Sequence, residues 1–334
     1  MEDVIQISVS NWHLFLQEVA HEMDVFVPVE NGIHIEYGKF ENTDRPIRYN
    51  KPAPVTPLKF FLLPVKENVV VEKFRQKRKI VVGIPSCDLK ALDLLDEIYL
   101  DEKYPDPVYK WHRENTILIG SECYEFREHC HCIAYGIERY PITNDDVTLV
   151  SLDGELILTV KTSKGEAFIS RLRKKYPVKV PARELLAEAE SRRSSTRERL
   201  MNKNQYLPDY ATIGKLINQS GEEIWARHSQ PCVSCGACAT ICPTCTCFLL
   251  IDRPGFEKVR QLDSCQFPGF ERIAAGEDPL RKKSTRFRNR YLCKYVWKHE
   301  RFNAQACTGC GRCIECCLGN INKNKIFTEM SESS

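Results

Sequence analysis

Short apolar runs alternate with polar segments through the first half of the chain. Five apolar runs predict strands, at Lys59–Leu63, Val69–Val71, Ile80–Ile84, Thr116–Ile119 and Leu156–Val160. The segment Asp88–Leu100 has the 3.6-residue period of an amphipathic helix, and Ser86 is a suitable N-cap for it. Strands and helices that alternate in this way predict an α/β domain over residues 1–178.

The pattern changes after this domain. Residues 181–203 are highly charged and contain no strand-forming run, which favours a solvated helix, and we assign 179–228 as a helical linker. Cysteines dominate 229–334, which we predict to be a ferredoxin-type domain with an insertion at 248–303. The last eight residues, from Phe327, have the composition of a frayed tail. The expected fold class is α+β and multi-domain: an N-terminal α/β domain followed by a helix-rich dicluster ferredoxin-like domain.

Composition narrows the range of functions. The 334 residues include 17 cysteines, and this odd number with clustered CxxC spacing favours metal ligation in a reducing compartment over a secreted disulfide scaffold. The net charge of +3 does not point to a nucleic acid or a membrane as partner. No apolar run approaches the roughly 20 residues of a membrane span, and the N-terminus lacks the features of a signal peptide. We therefore expect a cytoplasmic protein.

Two cysteine runs repeat the spacing of bacterial ferredoxins. Both have the form Cys-x2-Cys-x2-Cys-x3-Cys, over residues 232–242 and 307–317. In such a run, three thiolates bind one [4Fe–4S] cubane and the fourth binds the other cubane. We predict that one cluster is bound by Cys232, Cys235, Cys238 and Cys317, and the other by Cys307, Cys310, Cys313 and Cys242. A zinc site needs only four ligands and no second regular run.

Three features depart from a minimal ferredoxin. Leu318 follows the last ligand where proline is usual, and Cys316 adjoins Cys317, although the three-residue spacer favours Cys317 as the ligand. A long insertion separates the two runs and includes a basic stretch, Arg281–Arg301, with nine Lys or Arg residues and one acid, Glu300. Such a stretch suits a solvated face, a docking surface for an acidic subunit or a nucleic-acid surface. We expect no nucleic-acid partner.

Four further cysteines lie in the α/β half. Cys87 follows the strand predicted at Ile80–Ile84, and Cys123 follows the strand predicted at Thr116–Ile119. If these strands are parallel, both cysteines emerge at the carboxyl edge of the sheet, where doubly wound folds bind ligands. This arrangement predicts a third [4Fe–4S] cluster, bound by Cys87, Cys123, Cys130 and Cys132. The alternative is that these are core thiols.

Two groups of residues are left with more than one interpretation. His129 and His131 flank Cys130 and are loop residues, hydrogen-bond donors to the site or a substitute ligand. The remaining cysteines are either the ligands of a fourth cluster or packing thiols near the other clusters, and their spacing does not distinguish the two. These are Cys245, Cys247, Cys265 and Cys293.

The order of motifs resembles a known family. CVSCGACATICPTCTCF, LDSCQF, RFRNRYLCK and CTGCGRC follow one another as in the beta subunit of soluble NAD(P)-linked nickel–iron sulfhydrogenases. The same order without the RYLCK cysteine is similar to the corresponding iron–sulfur subunit of the anaerobic sulfite reductase. PSCDLKALDLLDEIYL and SECYEFREHCHC in the N-terminal half also match both, and the resemblance covers residues 58–322.

The resemblance implies an iron–sulfur subunit of a larger complex. In that family, a separate flavoprotein subunit binds FAD and NAD(P)H and carries a [2Fe–2S] centre. The terminal subunit is a nickel–iron hydrogenase, a sirohaem sulfite reductase or a heterodisulfide-reductase-like module. The family's ligands correspond to the eight ferredoxin cysteines and the four N-terminal cysteines named above. This chain has no G-x-G-x-x-G after a strand and no Walker motif, which agrees with dinucleotide binding by another subunit.

Three functions are compatible with these sequence features. The first is an electron relay without substrate chemistry of its own. The second is an enzyme in which one cluster, in the N-terminal half or at the remaining four cysteines, keeps an open iron site for substrate. The third is a zinc-dependent nucleic-acid-binding module, which the CxxC spacing and the basic stretch would suit. The first is the function that we expect.

Overall fold

The computed structural model describes residues 3–69, 77–255 and 257–333. The strands of the first half are β1 (Asp3–Ser8), β2 (Asp24–Asn31), β3 (His34–Lys39), β4 (Lys66–Asn68), β5 (Lys79–Pro85), β6 (Thr116–Ser121), β7 (Val147–Leu152) and β8 (Glu155–Val160). Its helices are α1 (Val9–Ala20), α2 (Lys59–Leu62), α3 (Ser86–Tyr99), α4 (Pro107–Asn115) and α5 (Ser163–Arg173), with 3-10 turns at Phe40–Asn42 and Ile133–Tyr135.

A seven-stranded mixed sheet forms the centre of this half, in the order β1-β8-β7-β6-β5-β2-β3. The central strands β2, β5, β6 and β7 are parallel, whereas β3 at one edge and β8 and β1 at the other are antiparallel. Along β5, Ile80 and Val82 belong to one buried cluster with α1 and α5, and Val81 belongs to another with α2, α3 and α4. Helices therefore cover both faces, and the expected α+β class is confirmed.

The strands predicted at Ile80–Ile84, Thr116–Ile119 and Leu156–Val160 are confirmed as parts of β5, β6 and β8. The strand predicted at Lys59–Leu63 is wrong, because these residues form α2. The buried Lys59 amine of this helix donates to the carbonyls of Ala239 and Cys245 in the cysteine-rich half, a contact without a local sequence signal. The strand predicted at Val69–Val71 lies largely outside the described residues.

The helix predicted at Asp88–Leu100 is confirmed, with a shifted start. Helix α3 begins at Ser86, so Pro85 occupies the N-cap position and makes no side-chain capping hydrogen bond. The proposed capping role of Ser86 is therefore wrong. Because Pro85 is the last residue of β5, the chain passes from the strand directly into the helix, and Cys87 lies in the first helical turn.

The second half is mainly helical. Its helices are α6 (Arg183–Lys203), α7 (Tyr210–Gln219), α8 (Glu222–Ser229), α9 (Ala237–Thr240), α10 (Lys283–Leu292), α11 (Lys298–Phe302), α12 (Arg312–Glu315) and α13 (Lys323–Glu332), with a π-helical segment at Cys293–Trp297 and a 3-10 turn at Ala274–Gly276. The long insertion also contains an unpredicted hairpin, β9 (Phe248–Arg253) and β10 (Glu257–Leu262). Strand β10 pairs with β4 of the first half, Val259 opposite Asn68.

An aromatic core joins α7, α8, α10, α13 and the π-helical segment. Trp225, Tyr291, Tyr295 and Phe327 are among its buried members. The frayed tail predicted from Phe327 onward is wrong: α13 continues to Glu332, and Phe327 is fully buried. Within the described ranges, no helix is both long and apolar enough to cross a bilayer.

Candidate iron–sulfur centres

The two ferredoxin-type runs have the same backbone shape. In each run, the second and fourth residues after the first cysteine have positive φ angles: 54° at Ser234 and 73° at Gly236, and 66° at Gly309 and 80° at Gly311. Helices α9 and α12 follow directly and contact each other. Left-handed residues within a tight turn form concave nests of backbone N–H groups, a geometry common at Fe–S sites. The sequence repeat is thus also a structural repeat.

The thiols of the first cluster set surround one cavity. It is lined by Cys232, Cys235, Cys238 and Cys317, together with Cys313 of the second set, Arg290 and Tyr291 among others, and Cys316 is absent from the lining. The backbone N–H of Ser234 donates to the Cys232 sulfur at 3.4 Å, and that of Ile321 donates to the Cys317 sulfur at 3.3 Å. Such donors stabilise thiolates and are typical of cluster ligands. The lining therefore suits the cubane that the spacing predicts, in which Cys317 is the fourth thiolate.

Buried cations and hydroxyl groups lie beside the cysteines that are predicted to bind the second cluster. Lys294 Nζ donates to the Cys242 sulfur and to Thr244 Oγ1, each at 3.0 Å. A hydrogen bond from the Cys245 thiol, together with Lys294 and Lys59, holds the pKa of Cys242 well below its ordinary value despite burial. Thr308 Oγ1 is buried without a hydrogen-bond partner among the described groups, next to Cys307. A thiolate-favouring environment and a free donor both suit an anionic cluster.

Burial raises the pKa of Cys310. Arg312 opposes this effect, and the nearby charges of Cys242 and Cys313 add to it. Lys294 Nζ donates both to the Cys242 sulfur and to the Ala306 carbonyl, each at 3.0 Å, so Cys242, from the first run, lies beside the start of the second run. The crossing of the fourth ligand is the arrangement that the spacing predicts.

The N-terminal cysteines emerge together from the sheet. Strands β5 and β6 are parallel, as expected, and Pro85 pairs with Ser121, so that Cys87 and Cys123 each follow two residues beyond the paired ends. Burial raises the pKa of Cys132 to about 12, with added effects of the nearby Cys130 and Cys123. Burial also raises the pKa of Cys87, with a further contribution from Cys132, so each thiol of this set lies within electrostatic reach of another.

An orphaned hydroxyl faces this neighbourhood. Tyr37 Oη is buried without a hydrogen-bond partner in the described part of the chain. Burial raises the pKa of Tyr37 well above its ordinary value, and the charges of Asp88, Cys87 and Cys123 raise it further. A buried donor without a partner is costly, and a cluster sulfide or thiolate would satisfy it. The third cluster that the sequence predicts at this set would supply such an acceptor.

His131 already has partners at both ring nitrogens. Its Nδ1–H donates to the His129 carbonyl at 2.7 Å, and Lys323 Nζ donates to its Nε2 at 2.8 Å. Burial and the Lys323 charge hold the pKa of His131 well below its ordinary value, so the ring is neutral. Its role here is to connect the Cys130–Cys132 loop to α13, and neither nitrogen is free to bind a cluster.

The N-terminal set is fastened to the second ferredoxin run. The backbone N–H of His131 donates to the Gly309 carbonyl at 2.8 Å. A Cβ at Gly309 would lie 2.6 Å from the backbone of Cys132, and one at Gly311 would lie 2.6 Å from the His129 carbonyl oxygen. Arg312 of the same run forms a buried ion pair with Asp88, beside Cys87. Glycines and one ion pair thus bring the two cysteine sets into direct contact.

Comparison with known proteins agrees with this geometry. The family model described as a 4Fe-4S dicluster domain matches residues 231–321. Over 331 residues, the chain is 30% identical to sulfhydrogenase 2 subunit beta of Pyrococcus furiosus, covering 95% of this chain and 94% of the relative. The chain belongs to the sulfhydrogenase beta-subunit family. It is an iron–sulfur electron-transfer subunit that binds [4Fe–4S] clusters.

In this family member, the remaining four cysteines also share a cavity. Cys245, Cys247, Cys265 and Cys293 line a space of about 270 Å³ beside Arg290, Lys294 and Lys298. The sequence spacing of these cysteines left their role open. The structure brings them together through the unpredicted β9–β10 hairpin and the π-helical segment.

The basic stretch of this beta-subunit homologue is not a uniform surface. Arg281, Lys282 and Arg301 are exposed, whereas Arg286, Arg290 and Lys294 are buried. The interpretation as a solvated face is therefore wrong for the buried cations. The charges of Arg290 and Lys294 lie next to the cysteines, and burial of a cation requires a nearby compensating anion.

Proposed function

We propose that this chain relays electrons through three [4Fe–4S] clusters. One end of the relay would receive or deliver electrons at a flavoprotein subunit that binds FAD and NAD(P)H. The other end would serve a terminal hydrogenase, sulfite reductase or heterodisulfide-reductase-like subunit. The observation that carries the proposal is the contact of each cysteine set with the next: the N-terminal set against the second run, and the second run interleaved with the first.

The first two ligand sets are those that the ferredoxin spacing predicts, and the third is the set predicted at the carboxyl edge of the sheet. They are Cys232, Cys235, Cys238 and Cys317 for the first cluster, Cys307, Cys310, Cys313 and Cys242 for the second, and Cys87, Cys123, Cys130 and Cys132 for the third. When bound, the clusters supply one-electron donors and acceptors. The chain's own residues exclude water and balance charge: Lys294 stabilises the Cys242 thiolate, and Tyr37 and Thr308 offer buried hydroxyl donors.

One end of this relay reaches the surface. Of the seventeen cysteines, Cys235 alone is exposed. It lies near Val233 and Leu318, which are 62% and 72% exposed. Exposed apolar side chains around a near-surface centre are typical of a partner interface. We place contact with one redox partner here, with the first cluster closest to that partner.

Two further observations support the proposal. The Pyrococcus furiosus relative is named as a subunit of a sulfhydrogenase, which implies a multi-subunit complex. Seventeen cysteines with no disulfide among them fit a reducing compartment, and we therefore place the relay in the cytoplasm.

Two cysteine variants test the relay. Replacing Cys310 by Ser should remove one cubane, so that anaerobically purified protein loses about four iron atoms per chain, and transfer of electrons from NAD(P)H through the co-purified flavoprotein should stop. Cys316 lies outside the first cavity, so replacing it by Ser should leave the iron content and electron transfer unchanged. Full electron transfer in the Cys310→Ser protein would contradict the proposal.

The partners require a separate experiment. Affinity purification of the full chain under anaerobic conditions, followed by mass spectrometry, should recover a flavoprotein and one terminal redox enzyme. Turnover of a substrate by the isolated chain with an artificial electron donor would instead favour an enzyme with its own catalytic cluster.

A further inference from the structure

A cysteine-lined cavity lies outside the three cluster sets of the proposed relay. Its four thiols come from separate parts of the insertion and surround a space of about 270 Å³. They line the walls instead of converging on one point, and among the described residues no three Cys, His, Asp or Glu side chains are close enough to share a single metal ion. Four thiols spread around a cavity match a cubane, whose four irons occupy alternate corners of a cube.

The hairpin brings two of these thiols together. Cys247 directly precedes β9, and Cys265 follows β10 by three residues, while Phe248 and Leu262 pair at the open end of the hairpin. The backbone N–H of Asp263 donates to the Cys247 carbonyl at 2.9 Å and extends this pairing. The register of the β9–β10 hairpin therefore brings Cys247 and Cys265 together, although the whole hairpin separates them in sequence.

The π-helical segment supplies a third thiol. It begins at Cys293, and short π-helical insertions are rare and occur frequently at functional sites. The fold maintains this segment with specific contacts: Tyr210 donates its hydroxyl to the Lys294 carbonyl, and a Cβ at Gly214 would lie 2.7 Å from the Tyr295 carbonyl oxygen. Only glycine at 214 allows α7 to approach the segment this closely.

The cavity wall is cationic as well as thiol-rich. Arg290, Lys294 and Lys298 all line it. The Arg290 side chain also lines the cavity of the first cluster, and its buried Nε has no hydrogen-bond partner among the described groups. Lys298 donates to Thr244 and Thr246 at the edge of the cavity. A cubane bound by four thiolates is an anion, and it would balance these charges and accept the unpaired donor.

We propose that this cavity binds a fourth [4Fe–4S] cluster, with Cys245, Cys247, Cys265 and Cys293 as its ligands. None of these residues belongs to the three-cluster relay, so the inference goes beyond the proposed function. The site adjoins the relay at two points. Cys245 packs against Cys242 of the second set, and Arg290 lines both this cavity and the first.

Its position suggests a second route for electrons. Phe248, Leu250 and Trp297 are 38%, 65% and 46% exposed, and they lie on the hairpin and the π-helical segment that carry the ligands. The fourth cluster would therefore branch from the relay towards the surface formed by the hairpin and the π-helical segment. This branch would add a further cluster to the proposed relay. The existence of that cluster can be tested without any partner protein.

The test uses the full chain, assembled anaerobically. We expect about sixteen iron and sixteen sulfide per chain in the native protein, and about twelve of each after Cys265→Ala or Cys293→Ala. The control is Cys316→Ala, a half-buried thiol outside both cavities, which should keep about sixteen. The quadrupole doublets in the Mössbauer spectrum should lose about a quarter of their area in the two variants and none in the control.

Two results would overturn the inference. One is a native protein with about twelve iron atoms, unchanged in Cys265→Ala. The other is one zinc atom per chain that disappears in the same variant. If a variant does not fold, the iron count and Mössbauer area of the native protein still decide between three and four clusters. Cys310→Ser, which tests the relay, changes a different cluster, so failure of one proposal can be distinguished from failure of the other.

Discussion

Arg312 and Asp88 form a bidentate ion pair, with N–O distances of 2.6 and 2.8 Å, in which both side chains are almost completely buried. Each residue adjoins a predicted ligand, Cys313 in one case and Cys87 in the other. Further bonds complete the pair: Arg312 Nε donates to the Pro54 carbonyl at 2.7 Å, and Asp88 accepts from the Leu58 N–H at 3.2 Å. The pair therefore fixes the α/β half against the second ferredoxin run.

Replacing Asp88 by Asn should destabilise the folded chain strongly. Asn keeps the shape but leaves the Arg312 charge buried without a counter-ion, and breaking such a pair costs about 3–5 kcal/mol. Denaturant unfolding of the cluster-loaded protein under anaerobic conditions measures the change. As a control, Glu22→Gln breaks an exposed pair with Arg171 and should cost less than about 1 kcal/mol. Equal effects of the two substitutions would contradict a structural role for the buried pair.

Replacing Gly309 by Ala should separate the third centre from the second. The new Cβ would lie 2.6 Å from Cys132 Cα and backbone nitrogen, so the Cys130–Cys132 loop would have to move. The control, Gly136→Ala, has a similar φ of 71° but no atom within 4 Å of the new Cβ. The control should lose only the roughly 1–2 kcal/mol of left-handed strain. Gly309→Ala should lose more stability and also about four iron atoms. Equal iron contents would argue against this contact as the support of a third cluster.

Much of the local structure was predictable because its signals are local. The period of the α3 leucines and the β-branched runs of β5 and β6 gave the correct elements, and parallel pairing placed Cys87 and Cys123 at one edge. The ferredoxin spacing likewise depends on contacts within a few residues. The individual elements and the ferredoxin spacing are determined by neighbours in sequence, whereas the parallel pairing of β5 and β6 joins segments that α3 and α4 separate.

The predictions failed where contacts between residues far apart in sequence determine the structure. The apolar run at Lys59–Leu63 has strand-like composition, yet it forms a helix whose lysine donates to carbonyls some 180 residues away. Phe327 lies in a polar tail, but the aromatic core of α7 and α10 buries it. The fourth cysteine set depends on a hairpin and a π-helical segment, and no spacing rule connects them. Tertiary contacts of this kind leave no periodic signal in the sequence.

Mild acid should destabilise the chain through His112. This buried ring accepts a hydrogen bond from Lys79 at 3.3 Å, and burial, together with the Lys79 charge, lowers its pKa to about 4. As pH falls below about 6.5, the unfolded chain binds a proton at this residue before the folded chain does. Stability is therefore lost between pH 6.5 and about 4, by up to about 1.4 kcal/mol per pH unit.

A substitution can show whether His112 causes this pH dependence of stability. His112→Gln should reduce the loss of unfolding free energy between pH 7.0 and 5.5 by about 1 kcal/mol relative to the unmodified chain. Replacement of the exposed His34 by Gln should leave the pH profile as it is. Parallel pH profiles for His112→Gln and the unmodified chain would show that another group causes the acid sensitivity.

Replacing Lys294 by Met should lower the reduction potential of one cluster. The ammonium lies 3.0 Å from the Cys242 sulfur, and a buried positive charge stabilises the reduced, more negative state of a cluster. Met keeps most of the aliphatic volume, and Thr244 still donates to the Ala306 carbonyl at 2.5 Å. Potentiometric titration followed by EPR should show a negative shift on the order of 60 mV, a tenfold change for a one-electron couple.

Lys282→Met removes an exposed charge of the same stretch, which solvent and salt screen, and should shift no potential measurably. If Lys294→Met retained its iron and its potentials, the Lys294 charge would have no influence on the cluster, and Cys242 would not be one of its ligands.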